Sequence, residues 1–249
     1  MNTNGRLALV TGGIGGIGTA VCRKLVQKGC RVVACYHPSE EDNMEAWRKA
    51  REAEGIEVGL VAGDVSCAVN SLEMIDAAEE KFGPIDILVN CAGITRDSSF
   101  KRMELDHWES VINTNLNSVY YVTRPVWEGM LERGFGRIIN ISSVNGQRGQ
   151  FGQVNYSAAK AGMHGFTMAL AHEGAAKGIT VNTVSPGYVD TPMTLAMQDS
   201  VRESIISGIP MRRMGTPEEI ANAVAFLADD ESTYITGVNL PVNGGLFIK

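Results

Sequence analysis

The sequence predicts an α/β fold in which a doubly wound sheet of seven parallel strands carries helices on both faces. Short runs rich in β-branched residues alternate with longer segments of helical periodicity, which is the pattern of parallel strands joined by crossover helices. Several of the short runs are apolar almost throughout, as strands are when helices cover both faces of their sheet. At 249 residues with 44% hydrophobic content, the chain fits one domain spanning residues 1–249.

The elements follow one another in regular alternation along the chain. Seven short apolar runs predict the strands: Arg6–Thr11, Arg31–Cys35, Glu57–Ala62, Ile85–Asn90, Arg137–Ile141, Thr180–Ser185 and Asn239–Val242. Helical periodicity between them predicts six helices: Ile17–Lys28, Asn43–Glu54, Asn70–Phe82, Asp106–Arg133, Tyr156–Lys177 and Pro217–Leu227. Five of these helices are followed by a glycine, which suits the left-handed residue that often ends a helix: Gly29, Gly55, Gly83, Gly134 and Gly178.

The least regular stretch is Tyr188–Met214. It contains two prolines and has weak periodicity. It also holds four methionines: Met193, Met197, Met211 and Met214. This composition favours a mobile lid over a site at residues 188–214, and an ordinary surface excursion is the alternative.

Composition excludes several classes of partner and favours a small metabolite. The net charge is −6, and no Lys/Arg-rich run is present, which argues against nucleic-acid and anionic-membrane binding. The amino terminus is short and polar, and no apolar run approaches the roughly 18 residues that span a bilayer. The five cysteines are odd in number and form no Cys-x-x-Cys motif. We therefore expect a reducing compartment, by default the cytoplasm.

A glycine-rich segment follows the first predicted strand and opens into a helix. It reads Thr11-Gly12-Gly13-Ile14-Gly15-Gly16-Ile17-Gly18. Glycines let the backbone turn sharply and approach a pyrophosphate, whose charge is met by free N–H groups at the helix terminus. A tight turn alone would also need glycine, but the position between strand and helix favours a Rossmann-like dinucleotide site.

A second cluster predicts acid–base chemistry on a carbonyl group. Tyr156 and Lys160 are four residues apart and so lie on one face of a helix. A neighbouring cation favours phenolate, and this would lower the pKa of a phenol that must protonate an alkoxide. Ser143 lies at the end of the fifth strand, where its hydroxyl would hydrogen-bond the substrate carbonyl. Ser142 is the alternative at this position, although the thirteen-residue offset from Tyr156 favours Ser143.

These motifs, together with Asn90-Cys91-Ala92-Gly93 after the fourth strand, resemble the short-chain dehydrogenase/reductase family over the whole chain. The resemblance implies that Gly12–Gly18 hold the cofactor phosphates, that Asp64 and Val65 meet the adenine, and that Asn90, Ala92 and Gly93 support the central sheet beside the cofactor. It implies that Asn115 holds a water behind Lys160 in a proton relay. After the sixth strand, Pro186, Gly187, Val189 and Thr191 match the segment that packs on the nicotinamide, and a simple Pro-Gly turn is the alternative. Members of this family are commonly homotetramers. Cys91 departs from the usual second Asn, and no function is assigned to it.

Coenzyme choice depends on the end of the second strand, where a carboxylate would bind the ribose hydroxyls of NAD. Tyr36 occupies that position, and the loop after it holds three acids and neither Arg nor Lys. Acids near the ribose repel the additional phosphate of NADP if they face it, so the sequence favours NADH. NADPH stays open, because related reductases commonly use it.

The stretch Ser142–Tyr156 is most similar to family members that reduce acetoacetyl-CoA in bacterial polyhydroxyalkanoate synthesis. That likeness implies an acyl pocket beside Ser143 and Tyr156, lined by Asp97, Gln150, Phe151, Gln153 and Tyr188. It also implies reduction of the 3-keto group to the (R)-alcohol. Reduction of 3-oxoacyl thioesters on acyl carrier protein is the nearest alternative, and a non-catalytic nucleotide-sensing relative is a third. No metal is expected, because His164 and His172 lie in no metal-binding motif and are interpreted as structural.

Overall fold

The computed structural model describes residues 5–195 and 197–248, so the first four residues, Ala196 of the predicted lid, and Lys249 lie outside the described residues. All seven predicted strands are present: β1 Leu7–Val10, β2 Arg31–Tyr36, β3 Gly59–Ala62, β4 Ile87–Asn90, β5 Gly136–Ile141, β6 Ile179–Pro186 and β7 Asn239–Val242. They form one sheet in the order β3-β2-β1-β4-β5-β6-β7. Every neighbouring pair is parallel. The predicted fold class is confirmed.

The helices that cover the sheet follow the predicted order. Within the described ranges they are α1 Gly16–Gln27, α2 Glu41–Ala53, α3 Ala68–Phe82, α4 Leu105–Ile112, α5 Ser118–Arg133, α6 Asn145–Arg148, α7 Val154–Gly174, α8 Pro192–Leu195, α9 Asp199–Gly208 and α10 Pro217–Ala228. Three short 3-10 turns lie at Pro38–Glu40, Phe100–Arg102 and Ala175–Lys177.

Alternating side chains of the strands feed two separate apolar layers. In β1, Ala8 and Val10 pack into a cluster with residues of α1 and α10, whereas Leu7 and Leu9 pack into a second cluster with residues of α3, α5 and α7. Successive strand residues point to opposite faces, so a strand buried on both sides must be apolar at every position. This is why the central strands read as continuous apolar runs.

Two predicted elements differ from the structure. The predicted helix Asp106–Arg133 is divided into α4 and α5 by a π-helical turn at Asn113–Asn117. The predicted lid is also less irregular than its composition suggests, because α8 and the ten-residue helix α9 both lie inside it. The π-helical turn at Asn113–Asn117 was not predicted, because a π turn adds one residue to a helix without a hydrophobic periodicity of its own in the sequence. Such turns are frequent at functional sites.

The sheet order places a crevice at the carboxyl ends of β1 and β4. These two strands are neighbours in the sheet although β2 and β3 lie between them in sequence. The chain leaves β1 into α1 on one face of the sheet and continues from β4 to α5 on the other face, so the strand ends stay open between them, which is where ligands bind in doubly wound folds. Across the described part of the chain, we find no helix that is both long and apolar enough to cross a membrane.

Candidate active site

The loop between β1 and α1 has a backbone that admits no side chains at several positions. Gly12 has φ of +60°, and a Cβ built on it would lie 2.9 Å from the Cα of Ala92. A Cβ on Gly13 would lie 2.6 Å from that of Ala34, and one on Gly18 would overlap the carbonyl of Gly12. The glycines therefore serve close backbone packing, as well as the sharp turn that the sequence predicts.

This loop fits the pyrophosphate of a nicotinamide dinucleotide. Because α1 begins at Gly16 with Gly15 as its extended N-cap, the first N–H groups of the helix have no acceptor within it. Ile14 and Ile17 pack their side chains against the apolar core, so only their backbone faces a ligand. The hydroxyl of Thr11 accepts hydrogen bonds from the N–H groups of Cys91 (3.0 Å) and Ala92 (3.1 Å), which joins this loop to the end of β4.

The proposed adenine and ribose positions lie at the ends of β2 and β3. Tyr36 is the last residue of β2 and is nearly buried, and burial, followed by the charge of Glu41, raises the pKa of its phenol. The carboxylate of Asp64 accepts hydrogen bonds from the N–H and hydroxyl of Ser66 and lies 3.9 Å from the ring of His37. Val65 packs into the apolar core, so its side chain is used within the protein.

The segment after β6 comes to the glycine-rich loop. A Cβ built on Gly16 would lie 3.0 Å from the methyl group of Thr191, so these two residues are neighbours. Pro186 ends β6, and the N–H of Gly187 donates to the carbonyl of Val242 at the end of β7. Val189 is buried and pairs with Gly215. The structure thus brings the residues predicted for the nicotinamide end beside those predicted for the phosphates.

Three of the four predicted catalytic residues meet at the end of β5 and the start of α7. Ser143 follows β5, and its hydroxyl lies close enough to the phenol of Tyr156 to lower the pKa of that phenol. Lys160 lies one turn later on α7 and is buried, with its Nζ 2.8 Å from the carbonyl oxygen of Ile141. Ser142 instead donates to the backbone carbonyl of Lys160 (2.8 Å) and contacts His164 (2.9 Å), which places Ser142 in the packing of α7.

The titration behaviour of this pair differs from the sequence expectation. Burial raises the pKa of Tyr156 to about 12, and the hydrogen bond from Ser143 opposes this rise. Burial also lowers the pKa of Lys160 to about 8. On balance the pKa of the phenol is raised, because desolvation is its largest cause and the ammonium of Lys160 binds the Ile141 carbonyl.

Asn115 lies in the π-helical turn between α4 and α5 and is fully buried. Its amide clamps the backbone of Ile94, accepting from the N–H (3.0 Å) and donating to the carbonyl (2.8 Å). A Cβ on Gly93 would lie 2.5 Å from Asn115 Oδ1 and 3.5 Å from Lys160 Nζ, so both side chains border the same point. The fourth predicted catalytic residue therefore lies beside Lys160. Asn90, by contrast, uses its amide within the sheet, where it donates to Asn140 (2.8 Å).

The predicted substrate residues separate into two groups. Gln153 donates to the carboxylate of Asp97 (Nε2···Oδ2 2.8 Å), so these two side chains meet beside the catalytic residues. Phe151 is 88% exposed, and Gln150 is exposed with a weak contact to Arg148. Tyr188 lines a cavity of about 340 Å³ together with residues of the segment after α9 and the loop after β7. Neither Asp97 nor Gln153 is among the residues that line this cavity.

Two asparagines that the sequence did not single out support the site. Asn155 is fully buried; it accepts from the N–H of Tyr156 (2.8 Å) and donates to the carbonyls of Arg96 (3.1 Å) and His107 (3.0 Å). Asn145 is also buried; its N–H donates to the hydroxyl of Ser143 (3.1 Å) and its Nδ2 to Gln153 (2.9 Å). The sequence could have identified them by position, because Asn155 directly precedes Tyr156 and Asn145 lies two residues after Ser143.

The histidines take no part in a metal site within the described ranges. His164 contacts Ser142, Asn239 and Ser185, which joins α7 to the ends of β5, β6 and β7, and His172 is exposed. No group of three or more His, Cys, Asp or Glu side chains that could hold a metal ion occurs among residues 5–195 and 197–248.

The fold, the glycine-rich loop and the Ser-Tyr-Lys arrangement define an NAD(P)H-dependent oxidoreductase. The chain belongs to the short-chain dehydrogenase/reductase family, and the family model described as enoyl-(acyl carrier protein) reductase matches residues 12–247.

Particular relatives are reductases of 3-oxoacyl thioesters by name. The chain is 71% identical over 243 residues to the acetoacetyl-CoA reductase of Allochromatium vinosum, covering 98% of this chain and 99% of that protein. It is 50% identical over 241 residues to the acetoacetyl-CoA reductase of Cupriavidus necator, covering 97% of this chain and 98% of that one. It is 45% identical over 248 residues to the 3-oxoacyl-acyl-carrier-protein reductase of Escherichia coli, covering both chains in full.

Proposed function

We propose that this protein reduces acetoacetyl-CoA to (R)-3-hydroxybutanoyl-CoA, as a step of polyhydroxyalkanoate synthesis. The observation that carries the reaction type is the grouping of Ser143, Tyr156 and the buried Lys160 at the carboxyl end of the sheet, with Lys160 Nζ 5.6 Å from the ring centre of Tyr156. A protonated phenol held against a second hydroxyl is suited to receive a carbonyl oxygen that becomes an alkoxide. The 71% identity to an acetoacetyl-CoA reductase supports the choice of substrate.

The glycine-rich loop and the N-terminus of α1 would hold the pyrophosphate, and Asp64 would meet the adenine. Thr191, beside Gly16, would bind the carboxamide of the nicotinamide. When bound, the reduced coenzyme supplies a hydride to C3 of the substrate. Ser143 orients the carbonyl oxygen, Tyr156 delivers its proton, and Lys160 with Asn115 resupplies the proton from water.

The substrate would lie in a pocket beside Ser143 and Tyr156. We assign Asp97, Gln150, Phe151, Gln153 and Tyr188 to its lining. The exposure of Phe151 supports this assignment, because an apolar ring that is 88% exposed in the absence of ligand is available to cover an acyl chain. Residues 188–214 would act as the lid of this one-domain protein, with the ion pair between Asp190 and Arg202 (2.8 Å) fastening α9.

NADH is the coenzyme that the ribose end favours. Tyr36 ends β2, and the charge of Glu41 acts on its phenol, so a carboxylate lies close to the place where NADP would carry its additional phosphate. Glu40 folds back to accept from the N–H of His37 (3.1 Å), which keeps a second carboxylate in the same turn. Carboxylates in this turn would repel the additional phosphate of NADP, because like charges repel one another.

The family resemblance also leads us to propose a cytoplasmic homotetramer. Tyr120 on α5 and Met168 on α7 are more than half exposed, which suits helices that pack against another subunit. The five cysteines are all free thiols, as in a reducing compartment. A monomeric mass in light scattering at micromolar concentration would contradict the tetramer.

The reaction is tested by initial rates with acetoacetyl-CoA and with acetoacetyl-acyl carrier protein, each with NADH and with NADPH. We expect the highest kcat/KM with acetoacetyl-CoA and NADH, and formation of the (R)-alcohol by chiral chromatography. Preference for the carrier-protein thioester, which the 45% identity to a carrier-protein reductase makes the second candidate, would move the function to fatty acid synthesis. Nucleotide binding without turnover of either thioester would favour a nucleotide-sensing protein.

A further inference from the structure

A series of hydrogen bonds runs from the exposed Asp97 through the side chains of Gln153 and Asn145, and the backbone N–H of Asn145 binds the predicted catalytic serine. The amide nitrogen of Gln153 donates to the carboxylate of Asp97 (2.8 Å), and the amide oxygen of Gln153 accepts from Nδ2 of Asn145 (2.9 Å). The N–H of Asn145 in turn donates to the hydroxyl of Ser143 (3.1 Å). Asn145 therefore hydrogen-bonds both Ser143 and the predicted substrate residue Gln153.

The polarity of this series is set by its two ends. A carboxylate accepts hydrogen bonds and cannot donate, so Asp97 requires the NH₂ end of the Gln153 amide. Asn145 then has to supply a donor to the oxygen end. With both ends engaged, Gln153 is held in one rotamer and its second N–H stays available to a ligand.

The stability of the fold does not account for Asn145. Asn145 is only 7% exposed, yet its carbonyl Oδ1 has no hydrogen-bond partner among the described residues. A buried carbonyl without a partner loses its hydration and gains nothing in exchange. An apolar residue at this position would avoid that loss, so a role in orienting Gln153 accounts for the asparagine better than packing does.

We infer that Asn145 is a positioning residue for the acyl thioester, which acts by fixing the orientation of the Gln153 amide. This inference rests on the proposed function, because Gln153 is assigned to the substrate pocket there. Asn145 transmits its effect through Gln153, so the two residues should behave as one unit when substrate binding is measured.

A double-mutant cycle on the full-length protein tests the coupling. We expect Asn145→Ala to raise KM for acetoacetyl-CoA about three- to tenfold, as loss of one oriented hydrogen bond does, with kcat and the KM of the coenzyme little changed. In the Gln153→Ala background, Asn145→Ala should add less than about twofold. Asn145→Asp keeps the shape but turns the donor into an acceptor facing Gln153, so its KM effect should equal or exceed that of Asn145→Ala.

Gln147→Ala is the matched control. Gln147 lies on the same short helix, and its amide oxygen is likewise buried without a partner, but it makes no bond to Gln153. We expect wild-type kinetics for this variant and, for it and Asn145→Ala alike, an unfolding temperature no lower than that of wild type.

Three results would overturn the positioning role. The first is additive effects of Asn145→Ala and Gln153→Ala on KM, and the second is an equal change of KM in Gln147→Ala. The third is a lowered unfolding temperature that only Asn145→Ala shows. Wild-type turnover of acetoacetyl-CoA in the same assays would leave the proposed function intact in each case. Absence of wild-type turnover would instead remove the proposed function, and this inference with it.

Discussion

The ammonium of Lys160 binds the backbone carbonyl of Ile141 (Nζ···O 2.8 Å) and lies 5.6 Å from the ring centre of Tyr156. The lysine thus faces the phenol ring while its hydrogen bond goes to the end of β5. Burial raises the pKa of Tyr156 to about 12 and lowers that of Lys160 to about 8. The phenol is consequently protonated at neutral pH, and the lysine is the group of this pair that titrates nearest to it.

The burial of Lys160 predicts an unusual dependence of stability on pH. Its folded pKa of about 8 lies below the ordinary 10.5, so from pH 8 to 10.5 the unfolded chain binds a proton that the folded protein does not. Burial of the charged ammonium lowers the free energy of unfolding, and this loss disappears as the pH rises through this window. The full amount is on the order of 3 kcal/mol, at roughly 1.36 kcal/mol per pH unit. We expect the free energy of unfolding of wild type to rise by this amount relative to Lys160→Met, measured by urea unfolding of the ligand-free protein. A difference between the two proteins that stays constant across the window would show that Lys160 is solvated.

Removing the phenol oxygen should abolish the chemistry while leaving coenzyme binding in place. Tyr156→Phe deletes the proton donor, for which we expect kcat to fall about 10²- to 10⁴-fold. Ser143→Ala removes the hydroxyl that would orient the substrate carbonyl and should lower kcat about 10²- to 10³-fold. Coenzyme fluorescence titrations should give near-wild-type Kd values for both variants. Ser142→Ala is the control, because the Ser142 hydroxyl donates to the backbone of α7. A near-wild-type kcat in Ser143→Ala together with a large loss of kcat in Ser142→Ala would make Ser142 the catalytic serine.

A single methyl group at Gly93 should disturb the proton relay. A Cβ there would lie 2.5 Å from Asn115 Oδ1, closer than real contacts allow, so Asn115 or the Ile94 loop must shift. Misplacement of catalytic groups by about 1 Å lowers rates on the order of 100-fold, and we expect Gly93→Ala to lose about 10- to 100-fold in kcat. Gly165→Ala on α7 is the matched control, since nothing lies within 4 Å of its Cβ. That variant should keep wild-type kcat and gain about 0.5–1 kcal/mol in helix stability.

Much of the fold could be predicted from the sequence because the central strands are buried on both faces. The runs around Leu7–Val10 and Ile87–Asn90 have no polar alternation, and this pattern belongs to central parallel strands. The strand ends were less certain. The predicted strand Glu57–Ala62 begins two residues too early, since hydrogen-bonded pairing with β2 begins at Gly59. Pairing depends on the partner strand, which local sequence does not specify.

The site was predictable where it depended on spacing and not where it depended on burial. Ser143, Tyr156 and Lys160 are placed by strand ends and helical periodicity, so their proximity could be expected. The Ile141 carbonyl that binds Lys160 comes from the backbone, which every sequence provides equally. Asn155 binds the carbonyls of Arg96 and His107, which lie far from it along the chain, and local sequence does not specify such partners. Asn145 binds Gln153, which lies only eight residues later but outside the short helix that holds Asn145.

The turn after β2 offers a direct test of coenzyme choice. Glu41 begins α2 and its charge acts on Tyr36, so replacing it with a cation should create a favourable position for the 2′-phosphate of NADP. We expect Glu41→Arg to raise kcat/KM with NADPH about tenfold and to lower it with NADH, because one charge-assisted hydrogen bond gained is worth about 1.4 kcal/mol or more. Glu52→Arg makes the same change of charge near the opposite end of α2 and should leave the ratio of the two coenzymes at the wild-type value. A wild-type preference for NADPH, or an equal shift in both variants, would show that the acids of this turn do not face the ribose.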